Sequence, residues 1–120
     1  MKKETDFGQF ITEHRIRKSL RCVELAEKLG ISTAYLSQLE HGVRLNPEPM
    51  LIIKAAEILE MNAEDSEKFY DSFAESANTL PPDITRYLMN NKKAQLAIRA
   101  AYKYNAADVE WQDFIDRLKK

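Results

Sequence analysis

Residues 20–47 read LRCVELAEKLGISTAYLSQLEHGVRLNP. Two glycines, Gly30 and Gly42, each close a short run of apolar residues at helical spacing: Val23, Leu25, Ala26 and Leu29 before the first, Leu36 and Leu39 before the second. Glycine just past the last periodic residue is a common helix stop, because it enters the left-handed region without steric cost. Ser32 offers a side-chain oxygen to cap the second run, which extends to about His41. The stretch therefore predicts two helices of about eight residues joined by the tight turn Gly30-Ile31-Ser32, the geometry of a helix-turn-helix.

The second of these helices has two unlike faces. At about 100° per residue, Leu36 and Leu39 fall on one side with Glu40 turned towards it, while Thr33, Ala34, Ser37, Gln38 and His41 fill the other and Tyr35 lies on the border. An ordinary surface helix usually carries Lys and Glu outside. Small polar side chains instead let a helix lie deep in a DNA major groove, where Gln38 could pair with adenine N6/N7 and Thr33 or Ala34 could meet a thymine methyl. Tyr35 has three uses open to it: a phosphate, a base or the core. The competing account of the whole face is plain solvation. Glu40, near the buried side, needs a partner, since an uncompensated buried charge is costly.

Outward from this stretch the chain punctuates as helices throughout. Phe7, Phe10, Ile11 and Ile16 predict a first helix over about residues 5–18. Pro49 suits a first helical position, and Leu51, Ile52, Ala55, Ala56, Ile58 and Leu59 make the following helix strongly apolar. Asn62 can cap a fifth helix carrying Phe69 and Phe73 at i, i+4. Leu80-Pro81-Pro82 breaks the chain, because a residue before proline is driven from the helical region. Three further helices are expected: one from Pro82 or Asp83, one over about 92–104, and one bearing Ala107, Trp111, Phe114, Ile115 and Leu118. Strand-like alternation is missing. The expected fold is all-α, five helices of a DNA-reading head over 1–79 followed by a short helical extension over 80–120.

The central stretch resembles the XRE family of helix-turn-helix DNA-binding domains, the phage-repressor and Cro type. The likeness rests on Leu25-Ala26, Leu29-Gly30-Ile31-Ser32, Leu36, Leu39-Glu40, Gly42 and Pro47, with Ile11 and Arg15 upstream and Ala56 and Leu59 downstream, and covers about residues 7–61. It implies that Glu40 pairs with Arg15 as a structural ion pair, and that the chain binds operator DNA as a two-fold dimer. Arg21 and Cys22 depart from the family, which often has Ser/Thr then Gln there, so Arg21 is expected to hold a phosphate by charge in place of the usual glutamine contact. Arg44 is a second phosphate candidate, whose removal should weaken all sequences alike. His14, Arg15, Arg17, Lys18 and Arg21 form a basic cluster, although Arg17 and Lys18 could equally complement the helix dipole.

Composition removes other classes. With 18 Lys+Arg against 19 Asp+Glu the net charge is −1, yet residues 1–45 hold 8 basic and 6 acidic residues, and 46–120 hold 10 and 13. A weakly basic head on an acidic half should depend on matched half-sites, ideally two at once. No apolar run approaches the ~20 residues of a membrane span, and MKKETDFGQF has no apolar signal core, so the cytoplasm is expected. One cysteine and two histidines make neither a disulfide nor a zinc site; no metal or cofactor is expected, and no enzyme, since no Gly-rich phosphate loop or Cys/His cluster is visible. Cys22 reads as a small apolar filler, with redox sensing as the alternative.

Eight of the chain's eleven aromatic residues lie beyond residue 61, more than so small a monomer is expected to bury. A homodimer is the expected use of that half. The alternative is an antitoxin or anti-regulator, gripping a toxin or regulatory protein with its carboxyl-terminal half while the other half represses its own operon.

Overall fold

The computed structural model describes residues 6–44 and 46–120. Those residues form eight helices and no strand: α1 (Asp6–Arg17), α2 (Cys22–Leu29), α3 (Thr33–Glu40), α4 (Pro49–Ile58), α5 (Ala63–Ala77), α6 (Pro82–Met89), α7 (Lys92–Lys103) and α8 (Asp108–Leu118). The expected start of α1 at residue 5 lies outside the described residues. His41 and Tyr104, expected inside helices, are instead the C-caps of α3 and α7, and Ala107 is the N-cap of α8.

Chain contacts divide into two compact units, residues 1–85 and 86–120. In the first, α1 packs on α3 and α5, α2 on α3 and α4, and α4 on α5. The core these contacts enclose contains Phe7 and Ile11 of α1, Leu25 of α2, Leu36 and Leu39 of α3, Ile52 of α4, and Phe69 and Phe73 of α5, all at most 1% exposed. Each such side chain contributes roughly 1.5–3 kcal/mol by leaving water. Phe69, Tyr70 and Phe73, three of the eight late aromatics expected to be hard to bury in so small a monomer, thus belong to this core: α5 carries them back onto α1, where Phe73 meets Phe7 edge-on at 5.7 Å.

Local chemistry sets the helix ends. Gly30 and Gly42 adopt φ of 74° and 76°, the left-handed geometry that lets the chain turn after α2 and after α3. Ser32 Oγ accepts from Tyr35 N–H at 3.0 Å and Asn62 Oδ1 from Asp65 N–H at 2.7 Å, so α3 and α5 each begin with a satisfied donor. Gly8 has another use. A Cβ built there would lie 2.5 Å from the Leu39 carbonyl oxygen and 2.8 Å from that of Glu40, so the absence of a side chain is what lets α1 approach the end of α3.

The second unit is built differently. Neither α7 nor α8 has a fully buried residue, and Leu96, Tyr102, Phe114, Ile115 and Leu118 are exposed. Trp111 packs edge-on to Phe114 at 6.4 Å, and Ala100 and Ala101 of α7 leave room beside them.

Candidate nucleic-acid interface

Arg15 fixes α3 against α1. Its Nε donates to Glu40 Oε2 at 2.8 Å and its Nη2 to Glu40 Oε1 at 3.0 Å, a two-point fork, while Nη1 donates to the Leu20 carbonyl at 3.0 Å. Only 4% of the Glu40 side chain and 16% of the Arg15 side chain reach solvent. The bond to Glu40 holds the guanidinium above its ordinary pKa despite burial. One arginine therefore ties the α1–α2 turn and the end of α3 together.

With Leu36 and Leu39 anchored inside and Glu40 paired, α3 turns its remaining side chains outwards. Thr33, Ala34 and His41 are exposed; Tyr35, Ser37 and Gln38 are half-buried. His41 Nδ1 donates to the Ser37 carbonyl at 2.8 Å, with Ser37 Oγ 3.3 Å away, so these two are ordered on one side of the helix. Tyr35 leans on the core and also carries the Arg44 guanidinium 5.8 Å above its ring. Arg44 in turn donates Nε–H to Gln38 Oε1 at 3.1 Å.

The N-terminus of α2 presents Arg21, whose side chain is 76% exposed. Glu24 Oε1 accepts the Arg21 backbone N–H at 2.7 Å and lies 3.5 Å from its guanidinium. The backbone bond, first of all, holds the Glu24 carboxyl below the usual carboxylate range. A phosphate at this helix end would share Arg21 with Glu24.

The basic cluster is dispersed by the fold. His14 is 7% exposed and stacks on Phe10; its Nδ1 donates to the Phe10 carbonyl at 2.9 Å and its Nε2 lies 3.2 Å from Asp65 Oδ2 of α5. Arg15 is committed to Glu40, and Lys18 pairs with Glu60. That leaves Arg17 and Arg21 as the exposed arginines of the cluster. The burial of His14 was readable: it stands seven residues after Phe7 and three after Ile11, on the apolar stripe of α1.

Cys22 is partly buried beside Arg15 and Glu40, and burial, followed by the Glu40 charge, pushes its thiol above the ordinary value. A helix N-terminus usually acts the other way. Cys22 should therefore react with a thiol-labelling reagent at pH 8 more slowly than cysteine in the urea-unfolded chain; equal rates would contradict it. Because folding disfavours the thiolate, this contribution to stability is full below the ordinary thiol pKa and declines as pH rises above it.

The family model described as helix-turn-helix matches residues 13–65, which include α2, α3 and their turn. The HTH-type transcriptional regulator SinR of Bacillus licheniformis is 32% identical across 58% of this chain and 67% of its own length. The chain belongs to the XRE-type helix-turn-helix family of DNA-binding transcription regulators. Other members similar to it are SinR of Bacillus subtilis (strain 168), 34% identical over 46% of this chain, and the uncharacterized HTH-type transcriptional regulator RghRB of the same organism, 39% identical over 49%. The chain spans about half the length of those two relatives, 50% and 42%. Among solved structures, the SinR protein/SinI protein complex is similar over 94% of each chain, at 23% identity and a TM-score of 0.49. No helix among the described residues is long and apolar enough to cross a membrane.

Proposed function

We propose that this helix-turn-helix protein is a cytoplasmic repressor that lays α3 in the major groove of a double-stranded operator and binds as a homodimer. The observation that carries the proposal is the outer face of α3: Thr33, Ala34, Ser37, Gln38 and His41 project from a helix held from behind by Leu36, Leu39 and the Arg15–Glu40 fork, with no Lys or Glu among them to block close approach. Tyr35 stands at the edge of this face. Arg21 and Arg44 flank it and supply charge for the phosphate backbone.

A homodimer suits the weak charge of the head. With 8 basic against 6 acidic residues over 1–45, non-specific attraction to DNA is small, and two half-sites read together multiply what one cannot hold alone. The exposed apolar side chains of α7 and α8 give a second copy something to bury. The same side chains could serve the alternative, an antitoxin or anti-regulator that grips a partner protein. A mass of two chains in the absence of any other protein supports the dimer; a one-to-one complex with a co-purifying protein supports the alternative.

Gln38→Ala tests the groove assignment. On duplexes selected by the wild-type chain it should cost about 1–3 kcal/mol and relax preference at one base position per half-site. An unchanged affinity and consensus would show that α3 does not read bases through Gln38.

A further inference from the structure

We infer that Arg44 fixes the base preference of Gln38, so that the two side chains read DNA as a single unit; this rests on the groove-reading role proposed for α3. The left-handed Gly42 folds the chain back on α3, and the N–H groups of Val43 and Arg44 both donate to the Gln38 carbonyl, at 2.9 and 3.1 Å. The Arg44 backbone is thereby held against the residue its side chain also meets. Nε–H of Arg44 donates to Gln38 Oε1 at 3.1 Å, and the guanidinium rests 5.8 Å over the Tyr35 ring. Backbone, amide and ring thus restrain Arg44 from three directions.

The chemistry of the pair is asymmetric. A guanidinium has donors and no acceptor, so the Gln38 amide must turn its oxygen to Arg44 and its NH2 away. An unpaired glutamine can rotate its amide and offer either end, which leaves it without a fixed preference. Held as it is, Gln38 presents N–H donors to the groove, and a facing base must supply an acceptor. Adenine and guanine do so through N7 and thymine through O4, whereas cytosine shows only its N4 donor. The position read by Gln38 should therefore reject cytosine, and Arg44, although it need not touch that base, is the positioning residue for the rejection.

The test uses the full chain, duplexes selected from random DNA by the wild type, and the four base variants at each position. Affinity ratios between bases are the readout, because loss of a charge alone scales all affinities together. Arg44→Ala should reduce discrimination against cytosine by about tenfold at the position that Gln38→Ala also relaxes, and the double variant should lose no more discrimination than Gln38→Ala alone. Circular dichroism confirms that each variant is folded. If Gln38→Ala relaxes one position while Arg44→Ala weakens all sequences alike, the coupling is wrong and the groove reading stands. If neither variant changes any base ratio, both fail.

Discussion

Glu40→Ala should destabilise the amino-terminal unit by about 3 kcal/mol, lowering its melting temperature by on the order of 15 °C at about 4–8 °C per kcal/mol for a domain of this size. The loss comes from what remains behind. The Arg15 side chain is only 16% exposed in the intact pair, and without the carboxylate its guanidinium keeps its bond to the Leu20 carbonyl but loses both bonds to α3. A buried charge deprived of its partner costs more than the intact pair contributes. Glu40→Gln, which retains one acceptor oxygen, should lose less. The double replacement Arg15→Met/Glu40→Leu, which removes both charges, should recover much of the stability. Thermal denaturation followed by circular dichroism reads all three, and an unchanged melting temperature for Glu40→Ala would overturn the assignment.

Gly8→Ala should be of similar size, near 3 kcal/mol, although alanine is the better helix former by about 1 kcal/mol. The added methyl would sit 2.5 Å from the Leu39 oxygen and 2.8 Å from the Glu40 oxygen, and both obstacles are backbone, which cannot rotate aside. α1 and α3 must separate by a good part of an ångström. That movement also pulls Arg15, two turns further along the same face of α1, from Glu40, so the clash and the ion pair are coupled. Combining Gly8→Ala with Glu40→Ala should therefore cost less than their separate losses summed. A melting temperature equal to or above wild type for Gly8→Ala would mean that the helices have slack.

Much of this architecture was legible in the sequence, because it is local. Gly30, Gly42, Ser32, Pro49 and Asn62 act on the residues beside them, and each stands at the helix end expected of it. The ends at Ser19 and Glu60 were harder: both are left-handed, φ 57° and 53°, with no glycine or asparagine to announce them. Contacts between distant residues were mostly hidden. The close approach at Gly8 was one of them, and only its place seven residues before Arg15 marks it as facing the same neighbour. The resemblance assigned Arg15 to Glu40 in advance, but the rest of the cluster from His14 to Arg21 looked like one basic patch, since composition cannot show that Asp65 and Glu60 claim His14 and Lys18. On α3, the alternation of Leu36 and Leu39 with small polar residues separated the two faces, but the fold-back that brings Arg44 to Gln38 and Tyr35 depends on the turn at Gly42.

The most direct test of a dimeric groove-reading repressor is selection of binding sites from random duplex DNA with the intact chain. The expected result is one enriched motif made of two inverted half-sites about one helical turn apart, bound with an affinity that falls steeply with salt as phosphate contacts release counterions. A pool that stays random, or binding with no preference between selected and shuffled duplexes, would contradict the account.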